Sequence, residues 1–212
     1  MAANNDAAAL SKQRRRLSVQ SDSKFIEGVE NMDISGGGKA RRQSIQIREG
    51  EAGSHISRLF GLSKKGYAPY NPRKKNQDAL AMAEDPATAT QAILVLDGHG
   101  EAGDLVSGYY KEKYLDEVFA HAAWPGDVEG MKRASRDVLL KLERELIGNK
   151  AVDTEFSGST YVFAALRGGA LLVSNVGDSR VTLGVEVDGA IVARPVSIDH
   201  KPDAPAEKAR IL

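Results

Sequence analysis

The chain has 212 residues, 42% of them hydrophobic, with 29 basic and 29 acidic side chains. This length and apolar content suffice for one sizeable core. Because the sequence has no cysteine, disulfides, thiolate nucleophiles and zinc–thiolate sites are excluded. No apolar stretch approaches the roughly 20 residues that span a bilayer, and the N-terminus carries no apolar signal core. We therefore expect no transmembrane segment and a cytoplasmic and/or nuclear location.

The zero net charge conceals an asymmetry between two parts of the chain. Residues 1–65 hold 12 Lys/Arg and 7 Asp/Glu, a balance of +5, whereas residues 66–212 hold 17 and 22, a balance of −5. Residues 1–65 are rich in Ser, Gly and charge and lack sustained periodicity, which predicts a disordered basic N-terminal regulatory tail. We interpret the acidic remainder as a cation-binding domain that carries this tail.

Two arginine clusters in the predicted tail each precede a serine. Arg14-Arg15-Arg16-Leu17-Ser18 and Ala40-Arg41-Arg42-Gln43-Ser44 place arginine two and three residues before the serine, a pattern typical of basophilic protein kinase sites. Phosphorylation of Ser18 or Ser44 would add close to two negative charges (about −1.5 to −2 at pH 7) beside the arginines. A solvated charged tail is the alternative. Nucleic-acid binding is not expected, since interleaved aromatic residues are missing.

Beyond residue 66 the pattern becomes that of a globular α+β domain. Residues 91–96 predict a strand, and helical spacing of apolar residues predicts a helix over 102–122. Trp124-Pro125-Gly126-Asp127 ends this helix. A second helix follows, with an apolar stripe formed by Met131, Ala134, Val138, Leu142 and Leu146.

After Asn149 the periodicity becomes that of strands. Four strands are predicted, over 159–166, 170–176, 180–187 and 190–198, and the turns between them are short. Turns this short make successive strands antiparallel. We therefore predict a four-strand meander with two helices packed on an antiparallel sheet.

Residues 93–100, which read Ile-Leu-Val-Leu-Asp-Gly-His-Gly, are the most informative segment. Four apolar residues before Asp97-Gly98 predict a buried strand that ends in a tight turn. A carboxylate at the mouth of a strand suits Mg²⁺ or Mn²⁺, which prefer oxygen ligands. A glycine lets a backbone carbonyl approach such a cation, and His99 offers an acid or base near neutral pH. An ordinary strand-to-loop turn is the alternative.

This segment is one of five with charged or polar residues at predicted strand ends. The five segments, at 73–79, 97–100, 156–160, 175–180 and 197–202, resemble in order and register those of the PPM-type (type 2C) metal-dependent serine/threonine protein phosphatases. The resemblance implies an α+β fold, an antiparallel β-sandwich flanked by helices, with a binuclear Mg²⁺/Mn²⁺ site. It also implies a monomer that hydrolyses phosphoserine and phosphothreonine in phosphorylated proteins by a metal-activated water.

The resemblance assigns a role to each candidate site residue. Asp97 matches the carboxylate that bridges the two metals, Gly98 the glycine that supplies a backbone carbonyl, and Asp78 an acid of the same cluster. Arg73 matches the guanidinium that binds the substrate phosphate. His99 matches the residue that protonates the leaving serine or threonine oxygen.

Asp178 matches an acid linked to a third metal, although a tight turn favours Gly-Asp for backbone reasons alone. Each of the other residues also has a structural alternative: Arg73 in a solvated basic run, Asp78 as a cap, His99 as a turn histidine. The segments Gly158-Ser159-Thr160 and Asp199-His200-Lys201-Pro202 are interpreted as architectural.

The chain stops at Leu212, one residue past an Arg-Ile that the family carries mid-domain. Family members continue with more strands and at least two further aspartates that hold the metals. The resemblance therefore predicts the N-terminal part of a catalytic domain, over residues 66–212, with too few protein ligands for both cations. Two alternatives are a truncated pseudophosphatase that binds phosphoproteins or regulates a partner, and an unrelated α+β binding module with a kinase-regulated arm.

Overall fold

The computed structural model describes residues 24–27, 43–49, 56 and 58–212. Three strands lie before residue 66: β1 (Lys24–Glu27), β2 (Gln43–Glu49) and β3 (Arg58–Lys64). They fall within the segment for which the sequence predicts a disordered tail. Most of that segment, including Ser18, lies outside the described residues, so the division into tail and domain stays a prediction.

Seven further strands and three helices follow. In chain order they are β4 (Asp78–Asp85), β5 (Thr90–His99), α1 (Gly103–Ala120), α2 (Val128–Gly148), β6 (Gly158–Ser159), β7 (Tyr161–Arg167), β8 (Ala170–Val176), β9 (Thr182–Val187), β10 (Ala190–Pro195) and α3 (Pro205–Ile211). Every strand pair in the described part of the chain is antiparallel. The α+β class is confirmed.

The main sheet has the strand order β1-β8-β7-β5-β4, with β6 paired to the end of β5. The strands β9 and β10 form a separate hairpin, and β2 pairs with β3. The predicted four-strand meander is therefore wrong, because β8 pairs with β1 and β7 and not with β9. After β8 the chain turns out of the sheet at Gly177, whose φ is +100°. Asn175 fixes this exit by donating from Nδ2 to the Ile198 carbonyl oxygen, at 2.9 Å.

The two faces of the main sheet are covered differently. Helices α1 and α2 cover one face, where Trp124, Tyr114, Phe163 and Leu94 are fully buried. On the other face, Leu59 of β3 packs with apolar residues of β4 and β5, and residues flanking and within β9 pack on β7 and β8. This two-layer arrangement with flanking helices is the sandwich that the resemblance implies.

The predicted helices are confirmed with small shifts of their ends. Helix α2 begins after the predicted break because the Asp127 side chain accepts a hydrogen bond from the Gly130 N–H, at 2.9 Å. The predicted stripe of this helix is buried. No helix in the described part of the chain is long and apolar enough to cross a membrane.

A buried group of hydroxyls joins both helices to the sheet. Tyr114 of α1 donates from Oη to the Ser135 carbonyl of α2, at 3.2 Å, and the Tyr161 hydroxyl of β7 contacts that of Tyr114. Burial raises the pKa of both tyrosines above its ordinary value, so both stay neutral. The helices are thereby fixed against the strands that carry the candidate site.

Candidate functional site

Two carboxylates face each other at one end of the main sheet. Asp78, the first residue of β4, is the register partner of Asp97 near the end of β5. Opposed residues of an antiparallel pair have Cα atoms about 4.5–5.5 Å apart, so the two like charges are close. Partial burial raises the pKa of Asp78, and the charge of Asp97 and a hydrogen bond with Asp97 raise this pKa further, whereas Lys74 lowers it. Asp78 therefore binds a proton more readily than an isolated aspartate does.

Gly98 lies where β5 meets the start of α1. Its N–H donates to the Gln77 carbonyl oxygen, at 3.1 Å, and this same oxygen accepts from the Ser107 hydroxyl, at 2.6 Å. A Cβ at position 98 would lie 2.4 Å from the Gly103 carbonyl oxygen and 2.5 Å from that of Gln77. No side chain larger than that of glycine fits there. Packing against the backbone therefore requires glycine at position 98, in addition to the predicted approach of a cation to its carbonyl oxygen.

Thr160 holds the backbone of Asp97 on both sides. Its hydroxyl accepts from the Asp97 N–H, at 3.0 Å, and its own N–H donates to the Asp97 carbonyl oxygen, at 2.9 Å. The sequence predicts an architectural segment here, without indicating which residue it supports. That contact joins residues 63 positions apart in the chain, so sequence periodicity carries no signal for it.

Thr160 also connects the carboxylate pair to the turn that carries Asp178. The Thr160 and Ser179 hydroxyls are 2.7 Å apart. A Cβ at Gly177 would lie 2.9 Å from Thr160 Cγ2, so this turn packs directly on the threonine. Asp178 itself is exposed. The turn that carries it is linked to Asp97 through Ser179 and Thr160.

His99 is exposed at the end of β5. Its ring lies over Gly158, where a Cβ would come within 2.9 Å of Nε2. The histidine also lines a cleft of about 410 Å³ together with Asp178, His200 and Glu207. The two predicted residues His99 and Asp178 thus share one cleft.

Arg73 lies in an exposed segment that leads into β4. The turn around it closes through a hydrogen bond from the Lys74 N–H to the Asn71 carbonyl oxygen, at 3.0 Å. Lys75 anchors the segment to α1 through an ion pair with Asp104, at 2.7 Å. Within the described residues, the Arg73 guanidinium makes no hydrogen bond to the carboxylate pair.

The structure thus brings some of the predicted site residues together and leaves others apart. Asp78, Asp97 and Gly98 converge at one sheet end, with His99 beside them. Across the described residues, no group of three or more His, Asp or Glu side chains is arranged to hold a metal ion. The donor set is two carboxylates and the backbone around Gly98.

Ser63 of β3 is a buried residue of the site that the sequence does not predict. Its hydroxyl donates to the Asp78 carbonyl oxygen, at 3.2 Å, and accepts from Asn76 Nδ2, at 2.6 Å. It escapes prediction because it lies in the segment interpreted as a tail.

The fold is that of solved serine/threonine phosphatases. One neighbour, a substituted form of a bacterial serine phosphatase, has a TM-score of 0.51 and 18% identity over 77% of this chain and 64% of its own. Another, serine-threonine phosphatase 2C from Toxoplasma gondii, has a TM-score of 0.50 and 20% identity, covering 89% of this chain and 53% of its own.

Sequence comparison identifies the family. Residues 73–212 match the model of the family "Protein phosphatase 2C", and the chain belongs to this family, whose members depend on Mg²⁺ or Mn²⁺. Probable protein phosphatase 2C 35 of Arabidopsis thaliana is 30% identical over 152 residues, which are 71% of this chain and 42% of that protein. Protein phosphatase 2C homolog 2 of Aspergillus fumigatus is 35% identical over 128 residues, 60% of this chain and 28% of that protein. The chain spans less than half the length of these relatives.

The raised pKa of Asp78 predicts how stability depends on pH in the metal-free chain. The folded state binds this proton more tightly than the unfolded chain, where aspartate titrates near 3.9. Stability should therefore fall as pH rises from about 3.9 through the raised pKa. Asp78→Asn should remove this fall and stabilise the chain at pH 7 by about 0.5 kcal/mol, a size discounted for solvent screening.

Urea unfolding in EDTA between pH 4 and 8 measures this dependence. Asp116→Asn, which removes an exposed aspartate from α1, is the matched control and should leave the pH profile unchanged. Equal profiles for Asp78→Asn and the parent chain would contradict the interpretation of the carboxylate pair.

The two hydrogen bonds between Thr160 and Asp97 predict a second outcome. Thr160→Val keeps the shape of the side chain but removes the acceptor of the Asp97 N–H, and should cost about 1 kcal/mol of unfolding free energy. It should also weaken Mn²⁺ binding, measured by calorimetry, because Asp97 loses its support. Thr160→Ser keeps the hydroxyl and should bind Mn²⁺ like the parent chain. Equal losses of Mn²⁺ affinity in both variants would contradict the role assigned to the Thr160 hydroxyl.

Proposed function

We propose that the protein to which this chain belongs hydrolyses phosphoserine and phosphothreonine in proteins, with Mg²⁺ or Mn²⁺ held at the Asp78–Asp97 pair. The observation that carries the proposal is the pairing of these two carboxylates across adjacent strands, with a raised pKa for Asp78. Membership of the protein phosphatase 2C family supports the reaction class.

The residues at this sheet end fit a divalent cation. Asp78, Asp97 and the Gly98 carbonyl form an oxygen donor set of the kind that Mg²⁺ and Mn²⁺ prefer. Partial burial and the neighbouring charge of Asp97 raise the pKa of Asp78, and a cation between the two carboxylates would offset both effects. When bound, the cations supply Lewis acidity and a water whose pKa is lowered towards neutrality. We propose two ions at this pair and a third at Asp178, whose turn is linked to Asp97 through Thr160.

Arg73 and His99 have complementary roles in this proposal. The Arg73 guanidinium is a planar fork of donors that matches two phosphoryl oxygens at once, and it is exposed in a segment that is anchored on α1. His99 holds a proton for the leaving serine or threonine oxygen. It lies on the rim of the 410 Å³ cleft, where a side chain of a phosphorylated protein has access.

Hydrolysis of a phosphothreonine peptide by the full-length protein tests this function. We expect turnover with Mn²⁺, its loss in EDTA and its return when Mn²⁺ is restored. Asp97→Asn should lower kcat by about 100-fold or more, the size seen when a group that acts on the transition state is removed. The exposed Asp116→Asn should leave kcat unchanged. Binding of the peptide without turnover would overturn hydrolysis and favour a phosphoprotein-binding module.

The role of Arg73 gives a separate prediction. Arg73→Ala should weaken inhibition by inorganic phosphate about 10- to 100-fold, since charge-assisted hydrogen bonds are worth about 1.5–3 kcal/mol. Mn²⁺ affinity should change by less than about twofold, because within the described residues Arg73 makes no hydrogen bond to the carboxylate pair. Lys74→Ala removes one charge from the same basic run and should have a small effect on phosphate. A larger effect on Mn²⁺ than on phosphate would refute the assigned role.

A further inference from the structure

A second cleft, the helix cleft, lies where helices α1 and α2 meet the ends of the strands that carry the candidate site. Its volume is about 400 Å³, within the range of about 300–1,000 Å³ that is typical of small-ligand sites. Helix α1 contributes Tyr110 to its walls, and helix α2 contributes Leu139, Glu143 and Ile147. The remaining walls come from the loop 154–157 and from the ends of β5, β6, β7 and β8. A cleft of this size has room for one long side chain.

The helix cleft adjoins the 410 Å³ cleft that contains Asp178. The two clefts share four lining residues, which are His99, Ser159, Thr160 and Val176. A substrate whose phosphoryl group is bound at the carboxylate pair therefore has the helix cleft beside it. Residues close in sequence to the phosphorylated one are those that can reach this cleft.

Glu143 is a carboxylate on an otherwise apolar face of α2. It lies four residues after Leu139 and four before Ile147, so the three share one face of the helix. Glu143 is partly buried and, within the described residues, forms neither a hydrogen bond nor an ion pair. Burial raises the pKa of its carboxyl group, and the neighbouring Arg144 offsets this rise only in part. An apolar residue would fill this position without that cost, so packing does not explain the glutamate.

The other polar groups of the helix cleft leave this carboxylate without a positive partner. Tyr110 is 8% exposed, and its hydroxyl makes no hydrogen bond with a described residue. Burial and then the charge of Glu143 raise the pKa of this hydroxyl, so it stays neutral. Glu155 adds a second, exposed carboxylate to the lining. Among the lining residues that the structure describes, His99 alone can become positive, so the charge that complements this cleft is a cation.

An arginine side chain has the properties that the helix cleft requires. Its apolar stem can pack on residues such as Leu139 while its charged head group contacts Glu143. The planar guanidinium donates two parallel hydrogen bonds to one carboxylate, and its face stacks on aromatic rings such as that of Tyr110. Lysine lacks the planar fork, and a purely apolar side chain would leave the Glu143 carboxylate buried without a partner.

We propose that the helix cleft binds an arginine side chain of the phosphorylated protein, a few residues from the phosphoserine or phosphothreonine, and that Glu143 determines this preference. The inference rests on the proposed function, in which the phosphoryl group is bound beside His99. Glu143 selects the substrate and takes no part in the chemical step.

Short alanine peptides that contain one phosphothreonine test this preference with the full-length protein and Mn²⁺. Arginine, citrulline or leucine replaces alanine at each position from four residues before the phosphothreonine to four after it. Citrulline has the shape of arginine without its charge. We expect arginine at one or two positions to raise kcat/KM about 10-fold over alanine, mainly through KM, and citrulline to give little of this gain. Equal gains for arginine and citrulline, or a larger gain for leucine, would overturn the proposal.

Substitutions of Glu143 test its role in the preference. Glu143→Gln should lower the ratio of kcat/KM for the arginine and alanine peptides towards one. Glu143→Lys should reverse the preference, so that a peptide with glutamate at the same position is hydrolysed better than the arginine peptide. Glu112→Gln, which removes an exposed glutamate of α1 outside the cleft, is the matched control and should keep the parent ratio. An unchanged ratio in Glu143→Gln would overturn the role of Glu143.

Urea unfolding of the same variants distinguishes selectivity from a structural role. Glu143→Gln removes a partly buried charge that has no partner among the described residues, so its unfolding midpoint should equal or exceed that of the parent protein. A lower midpoint together with an unchanged arginine-to-alanine ratio would assign Glu143 a structural role and overturn the proposal.

Binding measurements separate this inference from the proposed function. The same peptides with a non-hydrolysable phosphonate in place of the phosphate are titrated by calorimetry with Mn²⁺ present. If no phosphopeptide is hydrolysed but arginine still raises affinity in a way that depends on Glu143, hydrolysis fails and the helix cleft stands as a binding site. If the arginine and alanine peptides are hydrolysed equally and bind equally, only the inference about the helix cleft fails.

Discussion

The register between β4 and β5 is the constraint on which the candidate site depends. In this register Asp78 faces Asp97, and the apolar residues of both strands alternate correctly between two layers: Leu94 and Leu96 lie in the core beneath the helices, whereas Leu80 packs with β3. A slip of one residue would turn each buried side chain to the opposite face. Such a slip would expose apolar side chains of two cores to water. The free energy that this would cost keeps Asp78 and Asp97 opposed despite their like charges.

The charge state of the aspartates distinguishes a candidate ligand from a structural ion pair. Asp199 accepts two hydrogen bonds from the Arg180 guanidinium, at 2.8 and 2.7 Å, and this contact lowers the pKa of Asp199. The pKa of Asp78 is shifted in the opposite direction, first because the carboxyl is partly buried and then because its neighbour Asp97 is another acid. Asp97 is supported by the hydroxyl and N–H of Thr160, which carry no charge. The backbone of Asp97 is thus held in place while Lys74 offsets the repulsion between the two carboxylates only in part, a condition that favours binding of a cation.

The sequence predicts the elements with strong periodicity and misses those without it. Both long helices and β5, β7, β8, β9 and β10 are found near their predicted positions. Strand β4 alternates alanine with larger apolar residues and gives a weak strand signal, β3 is interrupted by Gly61, and α3 has only seven residues. The meander fails for another reason: a short turn fixes the direction of the next strand but not its partner. Here β1, from far along the chain, takes the edge of β8.

In the candidate site, too, the sequence predicts residues that belong to a local motif and misses residues that are distant in the chain. A motif indicates which residues have suitable chemistry, so Asp78, Asp97 and Gly98 are predictable, but their supports are not. Of those supports, Ser63 belongs to β3 and Thr160 lies between β6 and β7. Because Asp78 and Asp97 have the same strand parity as Leu80, they lie on the face that β3 covers, where a cavity of about 530 Å³ is lined by Ser63 and both aspartates. The carboxylate pair is therefore bordered by the second layer of the sandwich, and both aspartates remain exposed to solvent. It follows that a change in the β2–β3 hairpin reaches the site directly, whereas a change on the outer surface of α2 must first disturb the core.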